Sequence, residues 1–361
     1  MRARRPDLRV VVMLERSRAM RDGGDFADQT ERFRRELLAH CYRLLGSVDD
    51  AEDMVQETYL RAWRSYGGFE GRSSVRTWLY QIATNTCLTA MQHRARRPLP
   101  SGLAHPGNEP STSTRAELTW LQPIPDALVT PESGDPAVVA VSRESLRLAL
   151  IASLQHLPSR QRAVLILRDV LAFPATEVAG MLGTTTAAVK SALQRARARL
   201  DEVAPAPERV SELDDPAARA LLDRYIAAFE NSDADALQRL LRVDATLELP
   251  PSPVWFAGKD AATHAVAGLG SRGDWRMVAT GANGQPAAAA YRRGANGAYH
   301  AYGIVVLTAA STAIPAITAI TVFAEPGLLT SFGLPPVYPA AVPSARPICS
   351  PRPRLPANTT G

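Results

Sequence analysis

The sequence predicts a multidomain chain in which two all-α modules precede an α+β domain. Helical periodicity, nearly free of proline, fills residues 26–98 and resumes near Ser142 to last until about Val203. Between these stretches stand Pro98, Pro100, Pro106, Pro110, Pro123, Pro125, Pro131 and Pro136, with Gly and Ser among them. Proline at that density stops both helix and sheet, so 99–141 reads as a linker. Pro205 and Pro207 mark a shorter one over 204–215, after which helices give way to strand-like alternation across 216–340. Residues 1–25 and the proline-rich 341–361 are expected to be disordered.

Composition narrows the function classes. With 46% hydrophobic and 21% charged residues, each module can bury a core. No run of about 18 apolar residues exists, so a membrane span is not expected. The formal charge of +5 permits a polyanionic partner, and all cations but Lys190 and Lys259 are arginine. Cys41, Cys87 and Cys349 have neither metal-ligand spacing nor an even framework, so no metal, disulfide or cofactor is expected. A reducing cytoplasm is the simplest compartment.

In the first module, Ser47-Val48-Asp49-Asp50 has the form of a capping box opening a helix toward Tyr66. Ala51, Met54, Val55, Thr58, Ala62 and Trp63 recur at three- and four-residue steps and predict its buried stripe. Asp50, Asp53, Gln56 and Glu57 share another, acidic face. After the glycine-containing break at Gly67, Gly68 and Gly71, Ser73 or Ser74 caps a second helix with Val75, Leu79, Ile82, Thr86 and Ala90 facing the core. Trp78 and Tyr80 add aromatic surface, and Arg94, Arg96 and Arg97 close the helix. Such cations suit a helix C-terminus anyway, yet aromatics beside arginines also suit single-stranded nucleic acid.

Residues 49–88, DDAEDMVQETYLRAWRSYGGFEGRSSVRTWLYQIATNTCL, resemble region 2 of sigma-70 family factors of the extracytoplasmic-function (ECF) group. The resemblance implies a helical bundle whose acidic face docks on the β′ clamp helices of core RNA polymerase, placing Asp50, Asp53, Gln56 and Glu57 there. It implies capture of unpaired −10 bases at Phe69, Ser73, Arg76, Trp78, Asn85, Arg94, Arg96 and Arg97. Extruding a base costs a few kcal/mol, which a pocket returns by stacking and edge hydrogen bonds.

The second module carries a helix-turn-helix signal. Pro174–Leu182 supplies the first helix, Gly183 the turn, and Thr185 the cap of a helix whose Val189, Leu193, Ala196 and Leu200 face inward. Between Val189 and Leu200 stand Lys190, Arg195, Arg197 and Arg199 without an acid, as a major-groove helix needs. With the preceding LPSRQRAVLILRDVLAF, this resembles sigma region 4. That implies −35 contacts at Thr186, Ala187, Lys190, Ser191, Gln194, Arg195 and Arg197, and a partner in the β flap. The linker fragment WLQPIPD (120–126) resembles a segment of the long, tailed members.

In the third domain, Leu222, Tyr225, Ile226 and Phe229 predict one helix and Leu237, Leu240 and Leu241 another. Strand-like runs follow at Ala245–Leu249, Trp275–Thr280, Ala287–Arg292, Tyr299–Leu307 and Ala316–Phe323. The segment resembles the cone-shaped α+β SnoaL-like fold, with GANGQPAAAAYRR and FGLPPVYP matching versions fused to sigma factors. TAASTAIPAITAI stands where a polar, Gly-containing hairpin is expected. Asp244, Glu248, His264, Tyr291 and His300, with Trp255 as lining, are the side chains an enzyme of this fold would use, but they form no paired acid/base motif. Regulation of the sigma core is therefore the better expectation for the domain, through a small ligand or by packing on region 2 or the linker. A separate anti-sigma protein is a further candidate partner. The alternatives are a helix-turn-helix regulator acting without polymerase, and a SnoaL-like cyclase or isomerase with a DNA-binding appendage.

Overall fold

The computed structural model describes residues 26–92, 97–102, 106–107, 119–131, 136–203, 215–310 and 315–338. The N-terminal extension, the 204–214 linker, Arg94, Arg96, Cys349 and the tail lie outside them.

Helices α1 (Arg34–Leu45), α2 (Val48–Ser65) and α3 (Val75–Met91) form the first bundle. The α1–α2 corner follows from two residues. Gly46 adopts φ 69°, which ends α1 without a Cβ penalty, and its N–H bonds Tyr42 O at 2.8 Å. Ser47 then accepts from Asp50 N at 3.2 Å as the N-cap of α2. Ser74, not Ser73, caps α3 through Thr77 N at 3.0 Å. Ala51, Val55, Thr58 and Ala62 are buried as their spacing predicts, whereas Trp63 is 42% exposed. It lies at the edge of the stripe and closes over Phe26 with ring centroids 5.7 Å apart.

The proline-rich linker is more structured than its composition predicts. Leu121 and Ile124 are fully buried, α4 (Asp126–Val129) makes one turn, and α5 (Pro136–Glu144) begins before Ser142, where helix was expected to resume. Proline bars the middle of a helix but not its first turn, which is where Pro136 sits. Helices α6 (Leu148–Leu154), α7 (Ser159–Leu165, continued by a π-turn at Ile166–Val170), α8 (Ala175–Met181) and α9 (Thr186–Val203) make the second bundle. Gly183, at φ 58°, makes the turn between α8 and α9.

The C-terminal domain comprises α10 (Pro216–Glu230), α11 (Ala234–Leu240), β1 (Leu241–Glu248), β2 (Trp255–Ala257), α12 (Lys259–Ala267), β3 (Trp275–Ala282), β4 (Gln285–Arg293), β5 (Tyr299–Ala310), β6 (Ala316–Phe323) and the short α13 (Leu328–Ser331). The six strands run β2-β1-β6-β5-β4-β3, parallel only between β1 and β6. Strands β5 and β6 pair through Ala310 and Ala316, so the TAASTAIPAITAI segment is a hairpin whose turn lies outside the described residues.

Two apolar clusters cover the two faces of this sheet. Ala288, Ala290, Val305, Leu307, Ile320 and Val322 pack with α10, α11 and α12 to fill the cone. Ala287, Ala289, Tyr291, Ile304, Val306 and Phe323 belong instead to a cluster that continues through Leu121 and Ile124 into both helical bundles. Period-two alternation places these sets on opposite faces. The helical modules and the sheet thus share one core.

The β3–β4 hairpin enters that junction. Asn283 (φ 57°) and Gly284 (φ 68°) form a two-residue turn between paired Ala282 and Gln285, as an Asn-Gly pair favours. Asn283 is fully buried. Its Nδ2 donates to Tyr42 Oη at 2.8 Å and to Leu146 O at 2.7 Å, while Oδ1 accepts from Ile124 N at 3.0 Å. Its backbone N–H bonds Ile124 O at 3.0 Å. One residue therefore ties first bundle, linker, second bundle and sheet. Gly284 N bonds Asp126 Oδ1 at 2.7 Å, and a Cβ there would meet Arg143 Cβ at 2.9 Å, so glycine is needed for space as well as for φ. Gln285 Oε1 accepts from Leu148 N at 3.0 Å.

Replacing Asn283 by Ala leaves the Ile124 N–H and the Leu146 carbonyl without this partner in a buried site and loses the αL preference. The expected cost is about 3 kcal/mol in urea unfolding. A second expectation concerns pH. His40, buried against Thr84 Oγ1 at 2.9 Å, has its pKa lowered to about 3 by burial, with Arg43 and Arg76 adding to the effect. The folded chain keeps it neutral where the unfolded chain protonates it, so stability falls as pH drops from about 6.5 toward 3, by about 1.4 kcal/mol per unit. Acid titrations of unfolding should show this slope flattened in His40→Gln.

Candidate polymerase and nucleic-acid interfaces

The acidic face of α2 is only partly free. Asp53 and Gln56 are exposed, and Glu57 pairs one turn on with Arg61 at 2.6 Å. Asp50 is different. Its side chain is 14% exposed and pairs with Arg97, whose other amine donates to Trp120 O at 3.0 Å. Arg97, expected in the cluster for single-stranded DNA, fastens the linker to α2 in this arrangement. Gln122 completes that attachment. Its N–H bonds Gly46 O at 3.0 Å, its amide lies between Ser47 Oγ (2.6 Å) and Asp49 Oδ2 (3.0 Å), and its carbonyl accepts from Tyr42 Oη at 2.7 Å.

The proposed −10 residues lie along α3 and the loop before it. Phe69 and Trp78 pack tilted, with centroids 4.7 Å apart, and Ser73 is exposed. Two others are engaged within the chain. Arg76 pairs with Glu36 at 2.8 Å and lies over the rings of Tyr80 and, from the second bundle, Phe173. Asn85 Nδ2 donates to Met181 O at 3.1 Å, and Thr77 Oγ1 lies 3.3 Å from Glu177 Oε2. Helix α8, the first of the helix-turn-helix, thus covers part of the α3 surface. Sequence periodicity shows a polar face but not which partner covers it.

Arg162 cements the same junction. It is 6% exposed and donates to Leu44 O at the end of α1, and to Gln155 O and Leu157 O, both at 3.2 Å, at the end of α6. A cation is favoured where helix carbonyls converge. Arg43, buried at the same contact, donates to Ser145 Oγ at 2.7 Å, and burial lowers its pKa to about 10. Neither arginine stood out in the sequence, because nothing in a local pattern distinguishes a buried cation from a solvated one.

The face of α9 is open. Thr186, Ala187, Lys190, Ser191, Gln194, Arg195 and Arg197 are all exposed, and Thr185 Oγ1 caps the helix through Ala188 N at 3.2 Å. Arg195 bonds Ser191 Oγ at 2.6 Å, and Arg197 makes two bonds to Asp169, at 2.7 and 2.8 Å. Arg197 is therefore held at the rim, where a phosphate contact is easier than a base contact.

The acid/base candidates of the C-terminal domain do not converge. Asp244 is exposed and bound to Arg242 at 2.9 Å, His264 and His300 are exposed, and Tyr291 donates to Pro335 O at 3.1 Å on the outer face. Glu248 is buried beneath Ser101 of the linker, its pKa raised by burial against the lowering effect of bonds from Ser101. Trp255 O accepts from Gly107 N at 2.8 Å. Among the described residues, the cavity between α10, α11, α12 and Trp275 measures about 20 Å³, room for about one water.

Comparison with known proteins agrees with this layout. Residues 30–97 match sigma-70 region 2 and residues 147–200 match sigma-70 region 4. The chain is 51% identical over 318 residues to the ECF RNA polymerase sigma factor SigG of Mycobacterium tuberculosis, covering 86% of this chain and 84% of that protein. It is 32% identical over 299 residues to SigJ of the same organism, covering 81% and 86%. The crystal structure of SigJ superposes with a TM-score of 0.55 at 25% identity, covering 86% of this chain and 99% of SigJ. Region 2 bundle, region 4 helix-turn-helix and SnoaL-like α+β domain stand in one order in one chain, and that chain belongs to the sigma-70 family as an ECF sigma factor, a promoter-specific initiator of transcription.

Proposed function

We propose that the chain works by opening from a closed state that its C-terminal domain holds together. Sigma factors bind core polymerase and promoter DNA, and the −10 and −35 elements that regions 2 and 4 would read lie roughly 25 base pairs apart, about 85 Å of duplex at 3.4 Å per step. Here α3 and α8 touch, so the two modules must separate before both elements are bound. The observation that carries this reading is Asn283, whose bonds to Tyr42, Ile124 and Leu146 join the parts that must move. Opening also frees Asn85 from Met181 and takes Phe173 off Arg76, which keeps Glu36 within its own bundle, and it leaves Asp53, Gln56 and Glu57 for the β′ clamp helices. The −35 reading by Thr186, Ala187, Lys190, Ser191, Gln194 and Arg195 needs no rearrangement of α9, and the β flap is the expected seat of region 4.

In this reading the C-terminal domain is regulatory and not catalytic. Support comes from the acid/base candidates, which are scattered: Asp244 is bound to Arg242, Tyr291 bonds Pro335 on the outer face, and His264 and His300 are exposed on α12 and β5. An anti-sigma protein or a small ligand would act by shifting the same closed–open equilibrium. Among the described residues no helix is long and apolar enough to cross a membrane, and a cytoplasmic site of action fits a partner of core polymerase.

Two outcomes are expected. In run-off transcription with purified core polymerase, Asn283→Ala together with Gln285→Ala in the full chain should raise initiation at least tenfold at limiting sigma concentration, since about 1.4 kcal/mol of lost closure is a tenfold shift. Unchanged or lower initiation from a folded variant overturns the clamp. Separately, Asp53→Ala with Glu57→Ala should weaken binding to core polymerase by tenfold or more in a fluorescence titration, with unfolding unchanged within about 0.5 kcal/mol, because Asp53 is exposed and Glu57 loses only a part-exposed i,i+4 pair with Arg61.

A further inference from the structure

From Trp275 to Ala324 the chain contains no Asp or Glu, and the cationic side chains of that stretch are Arg276, Arg292, Arg293 and His300. The sheet register gathers them at one end. Trp275 faces Arg292, Arg276 faces Tyr291, Arg292 faces His300 and Arg293 faces Tyr299 across β3, β4 and β5. Arg272, in the loop before β3, is exposed at the same end, as are Arg292, Arg293 and His300. The nearby acids have bonds of their own. Glu230 accepts from Met277 N at 2.7 Å and lies 3.7 Å from Arg276, and Asp274 accepts from Ser271 N at 2.8 Å.

The arginines stand on a stiff support. Arg292 lies over Trp275 at 5.6 Å and Arg276 over Tyr299 at 5.2 Å. The β4–β5 hairpin is closed by Gly294 N to Ala298 O at 2.8 Å and by Asn296 Oδ1, which accepts from Ala298 N at 3.1 Å. Its tip, Gly294-Ala295-Asn296-Gly297-Ala298, has no bulky side chain to hold a backbone at a distance.

We propose that this end of the C-terminal domain is a second DNA-facing surface, which grips the phosphate backbone of promoter duplex without reading its bases. The chemistry selects phosphate. Arginine presents a planar donor fork to phosphate oxygens, and an acid-free hairpin sets no repulsion against a polyanion. A protein-binding patch would carry an apolar centre, whereas the exposed residues of the strand ends and hairpin tip are Arg, His, Asn, Gly and Ala, and the exposed Pro335, Pro336 and Val337 lie to one side, against Tyr291, Ala301 and His300. Region 4 would supply sequence preference, and this rim would add affinity that is indifferent to sequence and sensitive to salt.

The test uses the full chain and a fluorescein-labelled duplex of random sequence, titrated from 50 to 200 mM salt. Arg292→Ala with Arg293→Ala should weaken binding roughly tenfold and lower the slope of log K against log salt by about 2, while Arg292→Lys with Arg293→Lys keeps most of both. Equal affinity and slope for wild type and the Ala variant overturn the proposal. So does equal loss in the Ala and Lys variants, which marks a role in folding. A third overturning result is intact DNA binding with weakened binding to core polymerase, which assigns the rim to a protein partner.

Discussion

The carboxamide of Asn283 occupies a site where a backbone turn, two helical bundles and a linker all need a partner for one polar group. A buried N–H or C=O left unpaired costs on the order of 1–3 kcal/mol. The Ile124 N–H, the Leu146 carbonyl and the Tyr42 hydroxyl each meet it there. The group can reach all three only because an Asn-Gly turn places residue 283 in the left-handed region at the tip of a hairpin. The closed arrangement is therefore specified by hydrogen-bond geometry laid over an apolar interface that would tolerate some sliding by itself.

Around that point the chain spends its polar side chains twice. Asp50, Arg97, Arg76 and Asn85 have the residue types that polymerase or unpaired DNA would bind, yet each has a partner inside the chain. The Asp50–Arg97 pair is largely buried, with side chains 14% and 12% exposed, whereas the Asn85 amide contact and the part-exposed Arg76–Glu36 pair are modest and screened by solvent. Weak contacts of this kind are replaced readily when a stronger ligand arrives. The face of α9, by contrast, is exposed and uncovered by the rest of the described chain.

The linker shows how composition misleads when tertiary partners are ignored. Its prolines forbid long regular elements, and the described part contains only short ones. Proline does not forbid burial, however, and Leu121, Gln122, Ile124 and Asp126 are held by α1, α2 and the β3–β4 turn. WLQPIPD is better understood as an extended strap whose polar groups are satisfied by other domains than as a spacer.

Much was legible in the residues alone. Periodicity gave the helices of both bundles, Gly183 and Thr185 gave the turn and cap of the helix-turn-helix, and alternation gave five of the six strands, because these features depend on neighbours within one or two turns. The short strand β2 is missed because three residues carry too little alternation, and helix α12 because KDAATHAVA has few large apolar residues to mark a period. Nor could local pattern show that Trp63 is exposed, that Arg43 and Arg162 are buried, or that Asn85 faces the helix-turn-helix. The sequence by itself determined most of the elements and the family they compose. Only the tertiary structure decided which polar groups meet, because hydrogen-bond partners separated by 80 to 241 residues, as Gln122 and Asn283 are from Tyr42, leave no trace in local spacing.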